Sequence, residues 1–398
     1  MTIAIVVHGR FHAFDLAREL LALGHDVRLY TNYPRSWPAR FGVPRSQVRS
    51  LTAHGIAARG LQATVRARHP THPGESFLHR WFGRWAADQV RREPADVILC
   101  FSGVAEELLQ DRAGRQDVRV VIRASSHIRA QRRILDDEAQ RTGHPVDAPS
   151  DWMIARETRE YALADLVITV SRFARDSFVA QGVPAEKVAI VPYGVRPAIF
   201  QVTPIEAAAR AARLRSADRL RVLTVGTFSL RKGAYDYVEI ARRLHDRVEF
   251  LFRGQGDADA RWLYREAAGR IRFLPRVPEP ALAADYRAAD LFLFPTLEDG
   301  YAGVLSQAAA SGLPILATTN CGAADFVREA EDGWLVPIRR PDLAVDRLTW
   351  ADRHRDALAQ MAEHAARPQP SRDWHARARE LVALLERATT PRVRSRSS

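Results

Sequence analysis

The sequence LFLFPTLEDGYAGVLSQAAASG, residues 291–312, decides the fold class of this 398-residue chain. Its apolar start, residues 291–295, predicts a buried strand. An acidic loop that contains glycine follows, and the alanine-rich stretch after Gly303 predicts a helix. A strand, a loop and a helix in this order are typical of βαβ units, from which parallel sheets are built.

The loop between this strand and this helix is a candidate ligand site. Free N–H groups at the start of the helix, from Ala302 to Val304, can hold a phosphate. Asp299 lies just before them and can accept hydrogen bonds from sugar hydroxyls, while Gln307 lies further along the helix and can reach a ribose. A helix-capping acid and a polar helix residue would explain Asp299 and Gln307 singly, but they explain the whole arrangement poorly.

The same alternation of strands and helices extends along the chain in both directions. In the first half, strands are predicted at residues 3–7, 26–30, 96–101, 119–124, 166–170 and 188–191. In the second half, they are predicted at residues 221–226, 248–253, 270–274, 291–295, 314–318 and 334–337. The sequence therefore predicts an α/β protein with two doubly wound Rossmann-like domains that face each other across a cleft, where ligands of this architecture bind.

The domain boundaries follow from these runs. Residues 1–200 are predicted as the N-terminal domain, and residues 201–368 as the C-terminal domain. After Pro368 and Pro370, residues 373–388 predict an amphipathic helix, and the segment 369–388 is expected to pack back toward the N-terminal domain. Residues 389–398 have the composition of a flexible tail.

Composition argues for a globular, reduced, cytoplasmic protein. The chain is 46% hydrophobic, and no segment has the roughly 20 consecutive apolar residues of a membrane span. Its two cysteines lie far apart without metal-ligand spacing. The formal charge of +12 comes from 59 basic residues of which only Lys187 and Lys232 are lysines. This arginine bias is spread along the chain, so no nucleic-acid partner is expected.

Residues 226–233, GTFSLRKG, form a second candidate site. The segment follows a strand and opens a helix, so backbone N–H groups and the side chains of Arg231 and Lys232 converge where a pyrophosphate could sit. A solvated pair of cations is the alternative. One of only two lysines stands here, where a compact ammonium suits an anion better than a planar guanidinium does, and this favours the anion site.

A Gly-x-Gly pattern, Gly254-Gln255-Gly256, ends the next predicted strand. It predicts a turn near the ligand, although such a pattern marks many plain turns as well. Asp257 and Asp259 follow it, and they are interpreted as acids of a loop because no partner ligands for a metal are evident.

These motifs together resemble the retaining family-4 glycosyltransferases, also called group 1 glycosyltransferases, which have the GT-B fold. The segments that carry the resemblance are Lys232-Gly233, Gly254-Gln255-Gly256, Asp299-Gly300-Tyr301-Ala302, Gln307-Ala308, Gly312 and Val191-Pro192-Tyr193-Gly194-Val195. The chain departs from the family where Asp299 and Gln307 replace a pair of glutamates and where Ala302 replaces a glycine. Thr227 also stands where the family often has an arginine, for which Arg231 can substitute.

The resemblance implies a nucleoside-diphosphate sugar as the donor, a hydroxyl acceptor, retention at the anomeric carbon, and neither a metal nor a bound cofactor. The catalytic residues it implies are His127, Arg231, Lys232 and Asp299. His127 follows the strand predicted at residues 119–124, so it is expected at the cleft-facing end of the first sheet, although a lone histidine is more often structural. The donor-binding residues it implies are Gly226, Gly254, Gly256, Arg276, Gly300, Tyr301, Ala302, Gly303, Val304 and Gln307. The candidates on the acceptor side are Gly9, Arg10 and His12. The acceptor itself is left open between a small molecule, a glycan and a lipid-linked molecule of cell-envelope, polysaccharide or glycoconjugate biosynthesis.

Other interpretations remain at this point. A non-catalytic nucleotide-sugar-binding protein and a nucleotide-sugar epimerase on the same fold are the alternatives. A phosphorylase is disfavoured because the chain has so few lysines, and a dinucleotide oxidoreductase because no full Gly-x-Gly-x-x-Gly follows a strand. The helix predicted over Glu75–Arg92, with Phe77, Trp81 and Trp85 at four-residue spacing, is interpreted either as a core-facing stripe or as a peripheral contact with the inner face of the cell membrane.

Overall fold

The computed structural model describes residues 1–65, 74–110, 117–216, 218–367 and 373–394, which form two parallel β-sheets. The first has the strand order β3-β2-β1-β4-β5-β6-β7. Its strands are β1 (Thr2–Val7), β2 (Asp26–Thr31), β3 (Val48–Ser50), β4 (Val97–Phe101), β5 (Val118–Ile122), β6 (Leu166–Thr169) and β7 (Val188–Ile190).

The second sheet has the strand order β10-β9-β8-β11-β12-β13. Its strands are β8 (Leu220–Phe228), β9 (Val248–Gly256), β10 (Ile271–Leu274), β11 (Leu291–Phe294), β12 (Ile315–Thr318) and β13 (Gly333–Val336). Neighbouring strands of both sheets run parallel. Two doubly wound Rossmann-like domains are therefore confirmed.

Helices connect the strands. In the N-terminal domain they are α1 (Ala13–Ala22), α2 (Ser36–Ala39), α3 (Thr52–Val65), α4 (Glu75–Arg92), α5 (Glu106–Gln110), α6 (Ile128–Thr142), α7 (Asp151–Leu163) and α8 (Arg172–Ala180). Between the sheets lie α9 (Pro197–Phe200) and α10 (Pro204–Ser216). The remaining helices are α11 (Ala234–Leu244), α12 (Leu263–Ala267), α13 (Glu279–Ala288), α14 (Gly303–Ala310), α15 (Pro341–Arg353), α16 (Arg355–Ala365) and α17 (Trp374–Arg394).

Helices on both faces of each sheet explain why the strands are continuous apolar runs. All five residues of β4 are buried, and they alternate between two hydrophobic clusters. Leu99 packs into the cluster that contains residues of α1 and α17, whereas Cys100 packs into the cluster that contains residues of α4. Side chains of a strand alternate between the faces of the sheet, so a strand covered on both faces is apolar throughout.

Every strand predicted from the sequence has a counterpart in the structure, and the differences are local. The edge strand β3 was not predicted, because its three residues give no readable alternation. Gly254, predicted in a turn, lies within β9, which continues to Gly256 and pairs there with Phe228 of β8. That pairing extends two adjacent strands beyond the rest of the sheet.

Helix α17 returns to the N-terminal domain. Ala378, Leu381 and Leu385 are buried in the cluster that also holds residues of β1 and α1. The helix continues to Arg394, so residues 389–394 are helical and correct the prediction of a tail that starts at residue 389. Residues 395–398, and also Pro368 and Pro370, lie outside the described residues.

Most aromatic side chains of α4 face the protein core. The Trp85 ring contacts Tyr30, with ring centroids 6.3 Å apart, and the Trp81 ring contacts His54 at 5.2 Å. Phe77 is 66% exposed. The contacts of Trp81 and Trp85 favour the core-facing interpretation of the stripe. No helix of the described residues is both long and apolar enough to cross a membrane.

Candidate active site

A cavity of about 670 Å³ between the two domains lies where the strand order reverses in each sheet. In the first sheet the order reverses between β1 and β4, and in the second between β8 and β11. His8 follows β1 and Ser102 follows β4, while Arg231 follows β8 and Asp299 follows β11, and all four line the cavity. Ligands of doubly wound folds bind at such topological switch points.

The loop after β8 is tied to the loop after β11. Arg231 accepts the N–H of Leu297 at 3.0 Å with its backbone carbonyl, and its guanidinium lies 3.2 Å from a carboxylate oxygen of Glu298. Gly233 has φ +76°, and a Cβ there would lie 1.8 Å from the Pro295 carbonyl oxygen. Only glycine fits this close approach, which fixes where Lys232 stands relative to β11.

Lys232 forms an ion pair with Asp299, and both side chains are largely buried. The other carboxylate oxygen of Asp299 accepts the N–H of Ala302 at 3.1 Å. Burial lowers the pKa of Lys232, and so does the charge of the neighbouring Arg231. Two cations are thus held close together, each paired with a carboxylate of the loop after β11, and Arg231 and Asp299 of these pairs line the cavity.

The N-terminus of α14 lies beside this pair. Ala302 precedes the helix with φ +58°, a conformation that residues other than glycine adopt rarely. Ala302 and Gly303 line the cavity. The N–H groups in the first turn of a helix carry partial positive charge, so they add to the charges of Arg231 and Lys232 at the same place.

Glu298 connects the two domains and was missed in the sequence. Its side chain is fully buried and accepts hydrogen bonds from the N-terminal domain residues Ser125, Ser126 and Gln131 at 2.7–2.9 Å. Burial alone would raise its pKa, but the charge of Arg231 and the hydrogen bonds from Ser125 and Ser126 outweigh burial and lower the pKa from 4.5 to about 2. The carboxylate is therefore charged and fully partnered.

Gly300 lies at a close approach of the two domains. A Cβ at this residue would lie 2.1 Å from the carbonyl oxygen of Ala124 and 2.8 Å from a methyl group of Val170. The loop that carries Asp299 is therefore packed directly against the ends of β5 and β6. This contact places the acidic loop of one domain against the cavity wall of the other.

Two family models match the chain. The model described as Glycosyltransferase Family 4 matches residues 10–198, and the model described as Glycosyl transferases group 1 matches residues 219–351. The chain is a glycosyltransferase with the GT-B fold.

Relatives and solved structures agree with this identification. The glycosyltransferase is 25% identical to the amylovoran biosynthesis glycosyltransferase AmsK of Erwinia amylovora over 74% of this chain and 70% of AmsK. It is 28% identical to the D-inositol 3-phosphate glycosyltransferase of Thermobispora bispora over 56% of each chain. The matched region thus spans little more than half the length of the second relative.

Among solved structures, sucrose-phosphate synthase of Thermosynechococcus elongatus has a TM-score of 0.69 and 19% identity, over 98% of this chain and 100% of that chain. HepE of Anabaena, solved in complex with UDP-glucose, has a TM-score of 0.65 and 14% identity, over 97% of this chain and 99% of that chain. At such identities these likenesses show the fold.

The N-terminal wall of the glycosyltransferase cavity does not contain the histidine predicted for it. His127 is 2% exposed, and its ring packs against Tyr161 and Phe178 at centroid distances of 5.1 and 4.9 Å. Its Nδ1 accepts the N–H of Arg129 at 3.2 Å, which caps α6. Burial, and then the charge of Arg123, lower its pKa to about 4. The expectation that His127 faces the cleft is corrected, because the ring belongs to the core and to the helix cap.

The acceptor-side residues predicted in the loop after β1 contact other parts of the protein instead of lining the cavity. Gly9 donates its N–H to Asn32 at 3.0 Å, and the guanidinium of Arg10 lies 4.0 Å from the centroid of the Phe41 ring. His12 packs against Tyr193 at 4.2 Å between ring centroids. None of Gly9, Arg10 and His12 is among the described residues that line the cavity, whereas their neighbours His8 and Phe11 are.

Of the predicted donor residues, Ala302 and Gly303 line the cavity, and the others are not among the described residues that line it. Gly226 pairs with Gly254 between β8 and β9, and Tyr301 is buried. Gln307 accepts the hydroxyl of Tyr286 at 3.1 Å. Val304 lies in the first turn of α14, and Arg276 is an exposed residue between β10 and α13.

Asp257 and Asp259 lie in the loop after β9. Asp257 accepts the N–H of Ala258 at 2.7 Å, and Asp259 accepts the N–H of Leu230 at 3.3 Å. Asp259 therefore holds the loop that carries Arg231, as expected of a loop acid. Within the described ranges, no group of three or more His, Cys, Asp or Glu side chains is placed to hold a metal ion.

Proposed function

We propose that this glycosyltransferase moves a sugar from a nucleoside-diphosphate donor to a hydroxyl acceptor, with retention of the anomeric configuration and without a metal. The observation that carries the proposal is that Arg231 and the N-terminus of α14 line one cavity between the two switch points. Lys232 stands beside them through its ion pair with Asp299, which also lines the cavity. A diphosphate has the charge and size to neutralise these three groups together.

Donor binding would rearrange the Lys232–Asp299 pair. In the absence of a ligand, Asp299 satisfies the charge of Lys232. A diphosphate would take over Lys232, and Asp299 would then be free to accept hydrogen bonds from hydroxyls of the donor sugar. Gln307 replaces a family glutamate and still offers an amide to a ribose, since only its carbonyl oxygen is used by Tyr286. HepE, a structural neighbour, was solved with UDP-glucose.

The same residues account for leaving-group stabilisation. As the bond between the anomeric carbon and the diphosphate oxygen breaks, negative charge grows on the leaving diphosphate. Arg231, Lys232 and the N–H groups of Gly303 and Val304 would stabilise that charge in the role that a metal ion has elsewhere. The acceptor oxygen would attack from the face that the diphosphate leaves, and its proton would pass to a phosphate oxygen.

The proposed setting is the biosynthesis of polysaccharides or other glycoconjugates, at the cytoplasmic side of the cell. AmsK, a relative, is named for amylovoran biosynthesis. The exposed Phe77 on α4 is compatible with a peripheral contact with the inner face of the membrane, whereas Trp81 and Trp85 are engaged in the protein.

A thermal-shift screen with nucleoside diphosphates and their sugars, in the presence of a chelator, tests the donor. Stabilisation by one nucleoside diphosphate and slow hydrolysis of its sugar are expected, and NMR of a transfer product should show the donor's anomeric configuration. Binding without hydrolysis or transfer would favour the non-catalytic alternative. Conversion of the nucleotide sugar to its epimer would favour an epimerase. Inversion, or activity that is lost with the chelator and restored by metal, would contradict the proposal.

A further inference from the structure

Gln131 links the two domains at the wall of the cavity. It lies in the first turn of α6, is 9% exposed and lines the cavity. Its Oε1 accepts an N–H of Arg123 at 2.7 Å, and its Nε2 donates to Glu298 of the C-terminal domain at 2.9 Å. A guanidinium can only donate hydrogen bonds and a carboxylate can only accept them, so the two partners fix the direction of the amide.

The amide completes a chain of polar contacts between two arginines that line the cavity. Arg123, in the N-terminal domain, is paired with Glu157 at 2.7 Å. The oxygen of Glu298 that accepts from Gln131 also accepts an N–H of Arg231 at 3.2 Å. Glu157, Gln131 and Glu298 are buried, so little water competes with these contacts. The direction of the Arg231 guanidinium thus depends on residues of both domains.

Arg123 and Arg231 lie near the same carboxylate. Burial would lower the pKa of both guanidiniums, but nearby carboxylates outweigh burial and raise it. Glu298 is one of these carboxylates for Arg123 as well as for Arg231, and the charge of Arg123 itself acts to lower the pKa of Arg231. Two like charges are therefore close to Glu298, and the amide of Gln131 stands between Glu298 and one of them.

We propose that Gln131 is a positioning residue for Arg231: its amide keeps Arg123 from Glu298, so that Glu298 holds the guanidinium of Arg231 at the cavity. This inference rests on the proposed function, in which Arg231 stabilises the leaving diphosphate. Among unbranched side chains of this length, only glutamine can accept from a guanidinium and donate to a carboxylate at once while it stays neutral. Without this amide, Arg123 would turn to Glu298 and compete with Arg231 for it.

The first experiment is a double-mutant cycle on the affinity for a nucleoside diphosphate, measured by calorimetric titration. The ligand is the nucleoside diphosphate that stabilises the wild-type protein most in the thermal-shift screen. Gln131→Met keeps the size of the side chain and removes both hydrogen bonds. It should weaken binding about fivefold or more in the wild-type background and less than about twofold in the Arg231→Met background. Gln140→Met is the matched control, because Gln140 is an exposed residue of the same helix, and this variant should bind like wild type.

The cycle distinguishes positioning from a general effect on the fold. A merely structural role of Gln131 would weaken binding by the same factor in both backgrounds, and this result would overturn the proposal. Wild-type affinity of folded Gln131→Met would overturn it as well. If no nucleoside diphosphate bound the wild-type protein, the proposed function would fail and the inference with it, whereas binding without coupling to Arg231 would overturn the inference alone.

Gln131→Asn is a second variant, and it decides the test if circular dichroism shows that Gln131→Met does not fold. Its side chain is neutral, so it adds no charge beside the site, but it is one methylene shorter and cannot reach Arg123 and Glu298 together. The same cycle should give the same coupling to Arg231. A crystal structure of either folded variant should show the Arg123 guanidinium within hydrogen-bond distance of Glu298. Unchanged contacts of Arg123 and Arg231 in that structure would overturn the proposal.

Discussion

Ser126 of the N-terminal domain donates its backbone N–H and its hydroxyl to the same oxygen of Glu298 in the C-terminal domain, each at 2.9 Å. Ser125 donates to this oxygen as well, and Gln131 and Arg231 donate to the other one. The residue that accepts these cross-domain hydrogen bonds is thus the immediate neighbour of Asp299. The position of the donor loop depends on how the two domains are joined.

We expect Glu298→Ala to lower the free energy of unfolding by about 3–5 kcal/mol, because it leaves Arg231 and three buried donors without their partner. Affinity for the nucleoside diphosphate should fall too, because Arg231 loses the group that orients it. Glu298→Gln should lose less of the free energy of unfolding, since the amide can still accept some of these hydrogen bonds. Urea unfolding and calorimetric titration measure the two effects.

The control for this prediction is Glu331→Gln, since the side chain of Glu331 is 55% exposed and lies outside the cleft. Its effect on stability should stay within about 0.5 kcal/mol. Equal stabilities of Glu298→Ala and Glu331→Gln would show that the hydrogen bonds of Glu298 across the domain interface contribute nothing measurable.

The two lysines of the chain provide a matched pair for the donor site. Lys232→Ala should lower kcat by about 10²–10³-fold, as does the loss of one group that stabilises a developing negative charge. Lys187→Ala should leave kcat unchanged, because Lys187 lies between α8 and β7 and donates to the carbonyl oxygen of Ala162. Steady-state kinetics measure kcat of both variants, and circular dichroism checks that both are folded. Wild-type turnover by folded Lys232→Ala would remove Lys232 from the site.

The sequence allowed the second domain to be predicted more fully than the first. Lys232 and Asp299 follow central strands, and their side chains meet because parallel strands end at the same edge of a sheet. His127 also follows a strand, but its ring turns into the core and caps a helix. The direction of a side chain after a strand depends on local packing, and the periodicity of the strand does not predict it.

The role of Glu298 could not be predicted from the sequence for a second reason. Its partner Ser126 lies 172 residues away in the chain, and no local pattern links the two. The pair of serines after β5 and the pair of acids after β11 were both visible in the sequence. Only the closure of the cleft shows which acid meets the serines and which meets Lys232.

Two glycines of the donor loop should respond in opposite ways to alanine. In Gly300→Ala the new methyl group would clash with Ala124 across the domain interface, so we expect a loss of about 2–3 kcal/mol in stability. Gly303 begins α14, and a methyl group added there would meet no atom within 4 Å apart from its chain neighbours and the backbone of its own helix. Gly303→Ala should therefore gain up to about 1 kcal/mol from helix propensity. Urea unfolding measures the free energy of unfolding of both variants. Equal changes in the two variants would contradict the place of Gly300 at the domain interface.

His12 makes the stability of the enzyme sensitive to acid. Burial lowers its pKa from 6.5 to about 3, so below pH 6.5 the unfolded chain takes up a proton that the folded protein excludes. Stability should therefore be complete above pH 6.5 and should fall toward pH 3, by at most about 1.4 kcal/mol per pH unit from this residue. His12→Phe keeps the ring against Tyr193 and removes the proton.

Between pH 7 and pH 5, urea unfolding of His12→Phe should thus show a smaller loss of stability than wild type, by up to about 2 kcal/mol. Phe77→Leu is the control, because Phe77 is 66% exposed and has no proton to exchange, so its replacement should keep the wild-type pH dependence. If His12→Phe and wild type lost the same stability over this range, His12 would have to bind its proton equally well in the folded and the unfolded chain. The ring would then have to be hydrated in the folded protein, which its packing against Phe101 and Tyr193 opposes.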